Sequence, residues 1–425
     1  ESIEIVECGS DREESDFVAE KLIKHHEDDE VKYDEMAVFY RTNSQSRQIE
    51  DALRNSNIPY RVVGGVKFYE RKEIKDMLAY IRLLVNDKDS LALSRIINVP
   101  TRGIGATTLR KVEEEAVKTE STLWEVVNRI VDNPEDFKHI RLSSRVKSSL
   151  SLFVSLVIEA KVAHEEGQSL ETVYEKLLYE SGYWEILRVA KNDPVSQARM
   201  ENLEELGNAL TQFEDANPGA RLDTYLETIT LDNSVVGKEE ENQGEVSLMT
   251  IHGAKGLEFE YVFVTGVEET VFPSYQSMEG GDTAIEEERR LFYVAMTRAM
   301  KRLYITFAQG RMLFGQLRFN GFSRFIQEIP NKYYIWTKLR SGGRQSNEDN
   351  DWDDAVDPEY DDGPVYRVEK SPSVSRNIIK SAYPKGSKIV HSLYGEGKVL
   401  DCIGPSGDEK VTIKFNDGAQ KKFMA

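Results

Sequence analysis

Apolar and polar residues alternate over 3–8, the period of a strand with one face covered. Ser10-Asp11-Arg12-Glu13 follows as a capping box, and Phe17, Val18 and Leu22 fall on one face of the helix that it starts. The apolar run from Met36 to Tyr40 predicts a buried strand. Asn43 or Ser44 is placed to cap the next helix, whose Ile49 and Leu53 face inward. Strand alternating with helix predicts a parallel sheet with helices packed on it. From Ile74 to about Lys238 the period becomes helical almost throughout: Val146, Leu150, Phe153 and Val157 share a face, as do Leu203, Leu206 and Leu210. Strand character returns at 246–251, 261–267 and 303–307. The fold class predicted is α/β: a parallel-sheet domain in two parts, 1–75 and 239–335, interrupted by an all-helical insertion over 76–238. Residues 336–382 lack apolar periodicity and are rich in Asp, Ser, Gly and Pro, the composition of a disordered acidic linker. Strand signals resume at 388–390, 397–400 and 411–415, with Asn416-Asp417-Gly418 as a hairpin turn, and predict a small β-barrel over 383–425.

The 425 residues suffice for two to four domains with cores of their own. No apolar stretch is long enough to span a membrane, and no signal-peptide pattern is present. The two cysteines, Cys8 and Cys402, form no disulfide framework and fit a reducing cytosol. A net charge of -19 argues mildly against nucleic acid. Much of that excess sits between Glu348 and Asp362, however, and screening limits its reach to roughly 8–10 Å, so a local basic groove remains compatible with DNA. The first residues start inside a strand, as in a cut piece of a longer protein.

Several residues stand where chemistry is possible. Leu291, Ala295 and Arg298 follow helical spacing, which puts the guanidinium on an apolar stripe, where it needs an anion. The spacing leaves open whether that anion is Glu287 or Glu288, or a ligand. Glu258 follows a strand and a Gly-containing turn, where α/β sheets bind ligands, and is equally readable as a surface carboxylate. Thr250 and His252 end a strand. Arg41 and Asn43 stand at a helix N-terminus suited to phosphate, or to ordinary capping. Gly64-Gly65 marks a turn or a close backbone approach. Arg102-Gly103-Ile104-Gly105 precedes a helix, as a plain loop or as amides open to a phosphate. No residues form a metal-ligand set, and no nuclease carboxylate-lysine constellation is present toward the C-terminus.

Two segments sharpen this picture. Met249 to Phe259 reads M-T-I-H-G-A-K-G-L-E-F, and Glu286 to Ala299 reads E-E-E-R-R-L-F-Y-V-A-M-T-R-A. They resemble motifs V and VI of the UvrD/PcrA/Rep group of superfamily 1 DNA helicases. The likeness extends through Gly266, Glu268, Glu269, Phe272 and Pro273, and through Tyr40–Arg47, Ile58–Asp76 and Pro100–Thr108. It implies a RecA-like second motor domain (2A) with a helical 2B insertion, and a C-terminal barrel of the SH3 or Tudor kind. It implies a 3′-to-5′ ATP-dependent DNA helicase or translocase of repair or replication, in the bacterial cytoplasm and associated with the nucleoid. Arg298 then reaches the γ-phosphate of ATP as a finger, and Glu258 accepts a hydrogen bond from the ribose. Arg41, Asn43, Gly65, Thr250, His252 and Phe314 lie along single-stranded DNA, while Arg102, Gly103, Ile104 and Gly105 grip the duplex at a junction. Tyr394 and Lys398 on the barrel are the residues to contact RNA polymerase, which makes a non-enzymatic interaction module the rival reading. The chain departs from the family in having no G-x-x-x-x-G-K-[ST] loop, no D-E-x-Q segment and no Asn-Tyr-Arg-Ser-Thr segment. ATP and Mg²⁺ would be held mainly by an absent N-terminal half, and the chain alone should be inactive. A piece of a complete helicase is expected in preference to a naturally split enzyme.

Overall fold

A computed structural model describes residues 3–140, 142–190, 193–232, 244–313, 316–339, 388–391, 395–403, 410–415 and 420–424. It divides into two units at residue 345.

In the first unit, β1 (Ile3–Ser10) leads into α1 (Asp11–Asp28), then β2 (Met36–Tyr40), α2 (Ser46–Asn55) and β3 (Tyr60–Val62). Among the described residues nine α-helices follow: α3 (Lys72–Val85), α4 (Ser90–Ile96), α5 (Ala106–Lys118), α6 (Leu123–Asp132), α7 (Ser144–Glu165), α8 (Leu170–Glu180), α9 (Tyr183–Val189), α10 (Pro194–Ala216) and α11 (Leu222–Asp232). The chain then returns through β4 (Val246–Thr250), β5 (Phe259–Val264), α12 (Tyr275–Glu279), α13 (Asp282–Met296), β6 (Ala299–Leu313), β7 (Gln316–Phe319), α14 (Arg324–Gln327) and β8 (Tyr334–Lys338). The sheet order is β3-β4-β2-β5-β6-β1-β8, all neighbours parallel, with β7 antiparallel on the extension of β6.

The apolar run at β2 is continuous because both of its faces are covered. Val38 and Tyr40 pack with Phe17 and Leu22 of α1 and Leu53 of α2, while Ala37 and Phe39 belong to the core on the other face, with Phe292 and Ala295 of α13. The helical segment buries a third core of its own, from Phe68 through Leu210 to Ile229.

Local signals set most element starts. Ser10 caps α1 by accepting from the Glu13 N–H at 3.1 Å, although Glu13 reaches back to Gly9, one residue earlier than the box predicts. At α2 the expected cap is absent. Asn43–Gln45 forms a 3₁₀ turn, and the Gln45 Oε1 accepts from the N–H groups of Arg41 and Thr42, both at 2.9 Å. Folding the chain tightly before α2 gives those two amides a partner that a simple Asn or Ser cap would not supply.

At the C-terminal end of the sheet, Arg311 is buried between Glu14 and Glu268, with the Glu268 Oε1 2.7 Å away. The two carboxylates also accept from Thr306 Oγ1 (2.6 Å), the Gly266 N–H (2.8 Å) and the Ala308 N–H (2.8 Å). This saturation is what makes a buried ion triad tolerable.

The second unit is an antiparallel four-stranded sheet in the order β12-β11-β10-β9, from β9 (Lys388–His391), β10 (Gly395–Ile403), β11 (Lys410–Phe415) and β12 (Gln420–Met424). The acidic tract and the Asn416-Asp417-Gly418 turn lie outside the described residues.

Candidate nucleotide and nucleic-acid sites

β4 and β5 run parallel with β2 between them, so the chain leaving β4 must travel back along the sheet before it can enter β5. It does so through a 3₁₀ turn, Ile251–Ala254, whose Ile251 and Ala254 are buried in the core beneath α13. Gly256, at φ 86°, turns the backbone in the left-handed region. Glu258 is exposed and immediately precedes β5. It therefore stands at the N-terminal end of its strand, not at the C-terminal end where open α/β sheets usually bind ligands.

Arg298 meets it there. The expected helix stops at Met296: the Thr297 N–H bonds to the Tyr293 carbonyl at 3.0 Å, and the Arg298 carbonyl accepts from the Phe259 N–H at 3.0 Å, which draws the backbone into the sheet. Arg298 thus occupies the turn into β6 and not an apolar helical stripe. Its Nε donates to the Val294 carbonyl (3.2 Å), Nη1 to the Leu257 carbonyl (3.1 Å) and Nη2 to Thr297 Oγ1 (3.1 Å). All three acceptors are uncharged. Glu287 pairs with Arg290 and Glu288 with Arg41, so neither candidate carboxylate reaches Arg298. A guanidinium carries five N–H groups, and the spare ones can serve an anion.

The other cluster lies at the opposite end of the strands, where Tyr40 and Thr250 are in register. Arg41 forms a fork with buried Glu288, from Nε at 3.0 Å to both oxygens and from Nη2 at 2.6 Å. Ser277 Oγ donates to the same carboxylate at 2.8 Å. Desolvation of its ring and the nearby Arg41 guanidinium hold the His252 imidazole below the usual histidine range, against the pull of Glu288 and Glu287. Asn43 is exposed, as is Gly65. The loop carrying Gly65 is anchored by buried Glu50, which accepts from the Phe68 N–H at 3.2 and 3.0 Å.

Arg102 turns inward. Its Nη1 donates to the carbonyls of Ile96 (2.9 Å), Ile97 (3.3 Å) and Val99 (3.2 Å), its Nη2 to Tyr80 Oη (2.7 Å), and its plane lies 4.7 Å from the Phe153 ring centroid. Ile104 is also buried, whereas Gly103 and Gly105 are exposed and Gly105 begins α5 without a side-chain cap. Phe314 and Tyr394 lie outside the described residues, and Lys398 is exposed on β10. Ser277, Glu50 and Arg71 are organising residues that sequence reasoning missed, and Glu288, a candidate partner for Arg298 by its spacing, serves Arg41 instead. The Arg41–Glu288 pair joins residues 247 positions apart, and no local spacing announces it.

Among the described residues, no three His, Cys, Asp or Glu side chains gather as a metal centre, and no helix is long and apolar enough to cross a membrane.

The family described as UvrD-like helicase C-terminal domain matches residues 1–310. ATP-dependent DNA helicase PcrA of Staphylococcus aureus (strain MRSA252) is 35% identical over 431 residues, covering 100% of this chain and 56% of that protein. ATP-dependent DNA helicase PcrA of Staphylococcus epidermidis (strain ATCC 12228 / FDA PCI 1200) is 34% identical over 428 residues, covering 100% of this chain and 55% of that protein. The chain spans about half the length of the curated relatives that it matches. With the segment that resembles motif V joining two strands of the parallel sheet and the one that resembles motif VI on the helix packed against it, the chain belongs to the UvrD/PcrA type of superfamily 1 helicases, carrying their UvrD-like C-terminal domain.

Proposed function

We propose that this chain supplies one wall of the nucleotide site and part of the single-strand track of an ATP-dependent 3′-to-5′ DNA helicase or translocase. The supporting observation is the segment from Thr250 to Glu258, which starts in one candidate cluster and ends in the other. On the nucleotide side, Arg298 offers its spare N–H groups to the γ-phosphate. A planar, permanently charged fork stabilises the charge developing on the transferred group, an effect of roughly 10³–10⁵ in rate. Glu258 accepts a hydrogen bond from the ribose. On the strand side, Thr250, His252 and Asn43 hold the DNA backbone by neutral hydrogen bonds, which set register without reading bases. Arg41 keeps its charge paired with Glu288 and offers phosphate the N–H groups not committed to that pair. Gly103 and Gly105 lie against the duplex at a junction.

The residues beside Arg298 do not fit a magnesium site. Glu258 is a single carboxylate and no metal-binding group gathers around it among the described residues. No catalytic step is therefore assigned to a metal here, and the phosphate cradle belongs to residues outside the chain. The purified chain should bind a single-stranded oligonucleotide in fluorescence anisotropy, with affinity falling as salt rises. It should hydrolyse no ATP above background, with or without DNA. ATP turnover by the chain alone would overturn the assignment. The exposure of Lys398 supports a second reading, in which the C-terminal sheet docks on RNA polymerase. Deleting 383–425 should abolish that association.

A further inference from the structure

The turn Asn43–Gln45 is held from behind by a residue that meets it only at a main-chain carbonyl and at the Ser46 hydroxyl just after it. Arg71 is buried, 7% exposed, at the start of α3. Its Nη1 donates to the main-chain carbonyl of Asn43 at 3.1 Å and to Asn202 Oδ1 on α10 at 2.7 Å. Its Nη2 donates to Ser46 Oγ at 2.7 Å, and Ser46 in turn donates to Glu50 at 2.7 Å. One nitrogen therefore joins the peptide of Asn43 to the helical segment. Asn202 is itself fixed, since its Nδ2 donates to buried Glu73 at 2.6 Å. A second arginine clamps α10 without touching the turn: Arg47 reaches Glu205 (2.6 Å) and Gln212 (2.8 Å) on α10 and Asp51 (2.9 Å) on α2.

We propose that Arg71 is a positioning residue for the strand-contacting turn, and that it makes the shape of the turn depend on the seating of α10. The guanidinium suits this task because its donors are fixed in one plane. Asn202 and the Asn43 carbonyl share Nη1, and Ser46 is served by Nη2. If α10 shifts, Asn202 either takes the guanidinium with it or releases it. A guanidinium drawn along by Asn202 leaves the Asn43 carbonyl without its charged donor, and one released by Asn202 is no longer fixed in the plane that serves that carbonyl, so Asn43 and Arg41 lose their fixed presentation.

The role of the turn in DNA binding rests on the function proposed above, but the mechanical link does not, and two readouts separate them. In the whole chain, Asn202→Ala removes the α10 end of the link and leaves every candidate DNA residue in place. Amide hydrogen exchange across residues 41–46 should quicken about 5–10-fold, part of the loss expected for one hydrogen bond to a charged donor, while the rest of β2 stays protected. Affinity for a single-stranded oligonucleotide should fall by a similar factor. Arg71→Lys should act in the same direction, since a single ammonium cannot keep the planar arrangement. Arg82→Ala breaks an exposed pair with Asp89 elsewhere on α3, away from Arg71 and α10, and should leave both readouts unchanged. Unchanged exchange in Asn202→Ala, or equal quickening in Arg82→Ala, would overturn the proposal. Quickened exchange in a chain that binds no DNA would retain the link and overturn the DNA reading instead.

Discussion

Arg298 and Arg102 show how differently two arginines of similar promise are used. Arg298 donates to two carbonyls and a hydroxyl and keeps its charge uncompensated by any described carboxylate. On the function proposed above, in a motor completed by a phosphate-binding domain, Arg298→Ala should lower ATP turnover by about 10³-fold or more while single-strand affinity stays within a few-fold. Arg298→Lys should recover little, because an ammonium cannot reproduce the fork. Steady-state ATPase and anisotropy on the same preparations separate the two effects. Arg102 is occupied by three carbonyls and Tyr80. Its loss leaves those acceptors short of a donor, so Arg102→Ala should lower stability by about 1–3 kcal/mol in chemical unfolding. A weakened grip on duplex DNA should follow only as far as the loop before α5 loosens. Intact stability with lost duplex binding would instead make Arg102 a direct contact.

At the scale of elements, what was legible in the sequence was what is local. The period of β2, the cap of α1 and the long helical stretch depend on neighbours within a turn or two, and those features are found. The reading failed where a distant segment intervened. The helix ending at Met296 would have run two residues further to include Arg298 had β5 not taken the Arg298 carbonyl. Asn43 would have capped α2 had Gln45 not folded back onto the amides of Arg41 and Thr42. Helical spacing leaves Glu287 and Glu288 equally open to Arg298, yet Glu287 pairs with Arg290 and Glu288 with Arg41. The triad of Glu14, Glu268 and Arg311 is equally invisible in sequence, since it ties α1 to the loop after β5 and to the far end of β6. Removing its cation strands two buried carboxylates. Arg311→Ala should therefore cost about 3–5 kcal/mol in urea unfolding, and adding Glu14→Gln and Glu268→Gln should restore part of the loss.

Over the whole molecule, acidity becomes a liability where carboxylates are covered. Burial, and then the neighbouring Glu201, push the Glu204 carboxyl on α10 up to about 8. The unfolded chain releases that proton near the ordinary value of 4.5, so between 4.5 and 8 the folded state binds more protons and stability falls as pH rises. The penalty is absent below that window and complete above it. Glu204→Gln should match the parent in thermal unfolding at pH 4.5 and exceed it at pH 8.5, by about 2–4 °C for each kcal/mol recovered. Parallel pH profiles would mean that Glu204 is solvated.

The passage from Thr250 to Glu258 has one more consequence, which is mechanical. It must run the length of β5, six residues, while crossing two strand spacings, a span of roughly 19–22 Å. Four of its residues are coiled in a 3₁₀ turn, so its reach is only about 22 Å. A tether with so little slack passes tension from one end to the other and cannot absorb it. Inserting two glycines after Gly256 would leave every side chain of both clusters in place and lengthen only the tether. In the completed motor, strand binding should persist, basal turnover should persist, and the stimulation of one by the other should fade.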